Sequence, residues 1–111
     1  MIGRAHRFHG YHGLQPVYRR GQSARGGALS LKFLPRSGNR PYRVAVVVSR
    51  KVSKSAVVRN RIRRRIYEII RQDPPAAPYD LVFTVFHEQL AELPAEKLAA
   101  QVRELLKHTT H

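Results

Sequence analysis

Between Ala56 and Arg71 the chain reads AVVRNRIRRRIYEIIR, with six arginines and one acid, Glu68. A guanidinium keeps its charge at any physiological pH, and its planar fork can meet a phosphate through two parallel hydrogen bonds. Asn60, set between Arg59 and Arg61, adds an amide that can hydrogen-bond a phosphate, a sugar or a base edge. A solvated helix face ordinarily mixes charge signs, so that residues four apart attract; here Arg61 and Arg65 repel. The stretch therefore has the chemistry of a surface that meets a polyanion, bound by salt-sensitive phosphate contacts. Catalytic chemistry is absent from the rest of the chain. There is no cysteine, hence no disulfide and no thiolate metal site. Paired carboxylates, an activated Ser arrangement and a glycine-rich phosphate loop are all missing, so the protein does not read as catalytic by itself. His6, His9 and His12 recur at every third position, but glycines break the segment and no carboxylate accompanies them, a poor frame for zinc.

The whole chain carries the same bias. Lys and Arg number 21 against 7 Asp and Glu, a formal charge of +14 over 111 residues. The charge is lopsided: Met1 to Gln72 holds 18 basic residues and 1 acid, whereas Asp73 to His111 holds 3 basic residues and 6 acids. One part of the surface is thus suited to a polyanion and another to water. Nucleic acid is the first candidate and an anionic membrane surface the second. No apolar run is long enough to span a bilayer. The opening MIGRAHRFHGYHG has no apolar centre and no cleavage-like site, unlike a secretory signal. A cytoplasmic location is the default expectation.

The elements that must position the arginines follow from periodicity. Residues 1–13, rich in His and Gly, are expected to be flexible or only partly helical, and residues 14–107 to form one folded core. LQPVYRR, Leu14 to Arg20, suits a short helix stopped by Gly21, with Pro16 in its first turn. Gln22 to Gly27 reads as a loop. Leu29, Leu31 and Phe33 alternate with Ser30 and Lys32, a strand pattern. PRSGNRP is a turn cluster. YRVAVVVS, Tyr42 to Ser49, reads as a strand buried on both faces. Ser53 or Ser55 can cap a helix over about Ser55 to Arg71. On it Val58, Ile62, Ile66, Ile69 and Ile70 form one apolar stripe. Asn60, Arg61, Arg64, Arg65 and Arg71 fall on the remaining face, Arg63 at its edge and Arg59 beside the stripe. QDPPAAP ends the helix, YDLVFTVF is a further strand, and Pro94 opens a last helix with Leu98, Val102, Leu105 and Leu106 on one face. The order helix, strand, strand, helix, strand, helix gives an α+β domain. Its mixed sheet has three to four strands, with a βαβ unit across Tyr42 to Phe86.

With these elements in place, VSRKVSKSAVVRNRIRRRIYEIIR, Val48 to Arg71, resembles the signature of the bacterial ribonuclease P protein subunit. Arg50-Lys51, Arg59-Asn60-Arg61, Ile62 and Arg63-Arg64 fill its positions. VYRRGQSARGGALSLKFLP is similar to that family's first helix, glycine and strand, and YDLVFTVF with the final helix to its last strand and helix. The likeness covers roughly Leu14 to Lys107. It implies a protein subunit, one per RNA, of the endoribonuclease that removes the 5′ leader from precursor tRNA. The RNA subunit with its Mg2+ would carry the chemistry, and the isolated chain would be inactive. It implies that Arg50, Lys51, Lys54, Arg59, Asn60, Arg61, Arg63 and Arg64 meet the catalytic RNA. A cleft between the first helix and the sheet would hold the leader, with Leu14 and Tyr18 at positions where the family has two aromatics four apart. Lys32 could line the same groove, and basic grooves with stacking surfaces are how single-stranded RNA is held. The family also implies a left-handed crossover, against the right-handed rule for βαβ units. The position of any protein-bound divalent ion is not legible. A ribosomal or general RNA-binding protein is the alternative. A membrane protein is disfavoured because the isoleucines are needed for the core.

Overall fold

Leu29, Leu31 and Phe33 point to one side of a strand and Ser30, Lys32 and Leu34 to the other, and this alternation organises the whole molecule. The computed structural model describes residue 6 and residues 11–109, apart from 37, 39 and 76. Its elements are α1 (Tyr11–Arg20), β1 (Gln22–Gly26), β2 (Leu29–Pro35), β3 (Arg43–Val47), α2 (Ala56–Gln72), β4 (Tyr79–Val85) and α3 (Ala95–Leu106). The four strands form one mixed sheet in the order β1-β2-β4-β3. β1 and β2 pair antiparallel, as do β2 and β4, whereas β3 and β4 are parallel. The β3–α2–β4 segment is therefore the expected crossover between parallel neighbours, and the chain is one α+β domain.

Each face of the sheet has its own core. On one side Leu29, Leu31, Val44, Val46, Leu81, Phe83 and Val85 bury themselves against Ile62, Ile66 and Ile70 of α2 and Leu98, Val102 and Leu105 of α3. The isoleucine stripe thus fixes α2 to the sheet, with Val58 and Ile69 packed at its margins. On the other side, among the described residues, α1 covers the strands through Val17, which is fully buried against Ala45 and Val82 with Leu14, Leu34 and Val47 around them. Farther along this face Ser30, Lys32 and Thr84 are half-buried, and Tyr18 and Phe86 are exposed at its margins.

Two sequence expectations change. Gln22 to Gly26 is a strand: it pairs along β2 from Gln22 opposite Phe33 to Gly26 opposite Leu29. Gly27, at φ +58°, starts the two-residue turn between them, the place where such a hairpin wants glycine. The helix expected from Leu14 begins at Tyr11, so that Pro16 lies inside it rather than in its first turn. Pro16 removes the N–H that would have bonded the carbonyl of residue 12. Residues 11–13, expected to be flexible or only partly helical, are the start of α1, while residues 1–5 and 7–10, His9 among them, lie outside the described residues. Gly21 stops α1 as expected. Its N–H donates to Val17 O at 2.9 Å, and a Cβ there would stand 2.5 Å from the same oxygen. At the start of α2, Ser55 is the cap, its Oγ accepting from Val58 N at 3.2 Å.

Candidate RNA interface

The arginines of α2 divide into two kinds. Arg61 and Arg64 are exposed. Arg61 faces Glu92 at 3.4 Å across open solvent, a pair worth little, and Arg64 makes no hydrogen bond or ion pair among the described residues. Arg59 and Arg63 reach back to the loop that precedes the helix. Arg59 Nη1 donates to Ser53 O at 2.9 Å, and Arg63 Nη2 to Val48 O at 3.4 Å. This explains the odd place of Arg59 beside the apolar stripe: it braces the loop. Arg63 Nη1 also donates to Asn60 Oδ1 at 2.8 Å, so Asn60 is turned toward its neighbour as well as to solvent. Arg50, Lys51 and Lys54, on the braced loop, are all exposed. Arg65 departs from expectation. It does not face water but donates to Leu90 O at 2.6 Å and to Leu93 O, tying α2 to the segment between β4 and α3. Helical periodicity put it on the polar face, but the segment entering α3 lies over that edge and supplies carbonyls for it.

The second candidate surface lies on the opposite face of the sheet. Leu14 packs beside Val17 at the floor of α1. Tyr18, one turn later, is 42% exposed, too open for a core tyrosine. Lys32 rises from β2 next to it. Its Nζ lies 5.5 Å from the Tyr18 ring centroid and 3.5 Å from Tyr18 O. The three residues singled out for a cleft thus do converge where α1 meets the sheet. Strand register extends the surface: Ser30 pairs with Arg25 on one side and Thr84 on the other, and Thr84 with Val47. Reading β1 as a loop left Arg25 without a face, and its pairing opposite Ser30 puts it on this one. The Gly26-Gly27 pair, a hairpin signal, was the available clue.

At the far end of this face Arg43 turns out to be structural. Its Nε and Nη2 donate to the two oxygens of buried Asp80 at 2.8 and 2.9 Å, and Arg36 approaches the same carboxylate at 3.5 Å. The bond to Asp80 raises the Arg43 pKa, and burial lowers that of Arg36. Arg36 Nη1 also holds Pro41 O at 2.7 Å, so the pair closes the β2–β3 connection. On α2, the hydrogen bond from Arg71 lowers the Glu68 pKa. Among the described residues no cluster of His, Asp or Glu could hold a metal ion, and no helix is long and apolar enough to cross a membrane.

Residues 2–110 match the family model described as Ribonuclease P. The chain is 36% identical over 115 residues to the ribonuclease P protein component of Synechococcus sp. (strain JA-2-3B'a(2-13)), covering 96% of this chain and 84% of that one. It is 54% identical to that of Thermus scotoductus over 54 residues, 49% of this chain and 31% of that protein. Its fold is similar to the RNase P protein of Staphylococcus aureus, with a TM-score of 0.81 at 19% identity over 96% of this chain and 97% of that one. The RNase P protein of Thermotoga maritima is similar too, with a TM-score of 0.79 at 22% identity over 95% and 98%.

Proposed function

Because this chain belongs to the ribonuclease P protein family, we propose that it is the protein subunit of a tRNA-processing ribonucleoprotein, working in the cytoplasm with one catalytic RNA. In that role the exposed cations at the start of α2 and on its preceding loop, Arg50, Lys51, Lys54, Arg61 and Arg64, take RNA phosphates. Arg59, Arg63 and Asn60 hold the loop and helix in the geometry that presents them. Leu14, Tyr18 and Lys32 hold the single-stranded 5′ leader of precursor tRNA. Mg2+ belongs to the RNA subunit, which performs the phosphodiester cleavage, and the protein raises affinity for the leader-bearing substrate. The crossover through α2 is assigned the left hand carried by the family resemblance.

One observation carries this assignment: two basic surfaces lie on opposite faces of a single sheet. Ile62, Ile66 and Ile70 commit α2 to one face, and Val17 commits α1 to the other. Two RNA segments can therefore be held at once without competing for the same cations. The test is reconstitution. The protein, freed of nucleic acid, is added to a ribonuclease P RNA at low Mg2+ with precursor tRNA. Stimulated leader removal is expected with both components and none with protein alone. Cleavage by RNA-free protein would overturn the division of labour. Equal affinity for precursor and mature tRNA would overturn the leader assignment.

A further inference from the structure

Beyond Tyr18 and Lys32 the same face of the sheet runs on to a second aromatic. Thr84 lies on the α1 side of β4, as Val82 does, and Phe86 continues that alternation just past the strand's end. Its N–H donates to Ala28 O at 2.8 Å, which keeps it in line with β2. The ring is 37% exposed, and the guanidinium of Arg25 lies over it at 4.4 Å from the centroid. Arg25 reaches this place from β1, where it stands opposite Ser30. Arg25, Ser30 and Thr84 are thus on the same face as Lys32. Between the two aromatics the floor is made of small hydroxyl residues, Ser30 and Thr84, both half-buried.

We propose that Phe86 and Arg25 form a second base-stacking platform, which holds a leader nucleotide beyond the one at Tyr18. Arg25 covers one side of the ring and steadies it. The remaining side offers a π-face to any base, and the guanidinium edge offers donors to the adjoining phosphate. From Lys32 to the level of Ala28 is four residues of strand, about 13 Å. At the roughly 3.4 Å spacing of stacked bases, that span accommodates a few nucleotides between the two platforms. Stacking is tolerant of sequence, so the platform adds leader-length dependence with little base preference. This inference rests on the leader assignment above and extends it.

The test is a leader-length series on the holoenzyme assembled with a ribonuclease P RNA. Precursor tRNAs with progressively longer leaders are titrated against the wild type, Phe86→Leu, Phe86→Tyr and Arg25→Ala. For the wild type, affinity should rise in two stages as the leader reaches first Tyr18 and then Phe86. Phe86→Leu, which keeps apolar bulk at a partly exposed position, should lose only the second stage, about 5- to 20-fold. Phe86→Tyr should retain it, and Arg25→Ala should lose part of it. A second stage that survives intact in Phe86→Leu removes the platform while leaving the cleft. A wild type indifferent to leader length at every step removes the leader assignment itself. Thermal unfolding of Phe86→Leu within a few degrees of wild type is expected, and a collapse of the fold would show that Phe86 is structural.

Discussion

Arg64 and Arg65 are adjacent on one helix and identical in chemistry, yet substitution of each to Ala should have opposite effects. Arg65 is half-buried and donates to two backbone carbonyls, Leu90 O and Leu93 O. A hydrogen bond involving a charged group contributes roughly 1.5–3 kcal/mol. The two bonds share one side chain whose position is partly hydrated, and water can replace part of each. Arg65→Ala should therefore destabilise the protein by about 2 kcal/mol in all, within the usual range for a lost network. For a domain of this length that corresponds to a fall of about 8 °C in Tm. Arg64 is exposed and makes no hydrogen bond or ion pair among the described residues, so Arg64→Ala should stay within about 0.5 kcal/mol of wild type. Its effect should appear on RNA, as a loss of affinity with a shallower salt dependence. Urea denaturation of both variants, paired with salt titrations of binding to the catalytic RNA, separates the two. If Arg65→Ala unfolds like wild type and Arg64→Ala does not, the division of arginines into braces and contacts is wrong.

Replacing Arg61 and Arg64 together by Ala should lower the slope of log affinity against log salt by roughly 1.4–1.8, at 0.7–0.9 per phosphate contact; an unchanged slope would exclude both from the interface. Asp80→Ala leaves Arg36 and Arg43 beside a carboxylate-free pocket and should cost about 3 kcal/mol, toward the low end for a broken buried pair because Arg43 is partly exposed, as read from equilibrium unfolding. Ile66→Ala opens a void between α2 and the sheet and should cost about 2–5 kcal/mol by the same measurement. Glu68 has its folded pKa lowered by the hydrogen bond from Arg71. Its small stabilising contribution is present above the unfolded carboxyl pKa and fades as pH falls through the folded one. The stability difference between wild type and Glu68→Gln should therefore shrink on acidification, and a difference that grows would contradict the pairing.

The sequence by itself determined the elements that depend on periodicity and the polyanionic class of partner that depends on charge. Val58 to Ile70 at helical spacing, and Leu29 to Phe33 at strand spacing, each have one face that must leave water, and no alternative pairing satisfies them as well. The same holds for the basic excess before Gln72, which needs a polyanion whatever the fold. Leu14, Tyr18 and Lys32 were legible as a group only through the family likeness, and the structure does bring them together. Tertiary structure decided what no local pattern encodes. β1 has little apolar signal because QSARG lies at the sheet's edge, and only pairing with β2 makes it a strand and gives Arg25 a face. The separate fates of Arg59, Arg61, Arg63, Arg64 and Arg65 depend on which carbonyls the neighbouring segments happen to present. Arg43 is set by Asp80, 37 residues away along the chain. A guanidinium is equally suited to a phosphate and to a backbone oxygen, so its role follows from the distance to the nearest acceptor, and that distance exists only after the chain has folded.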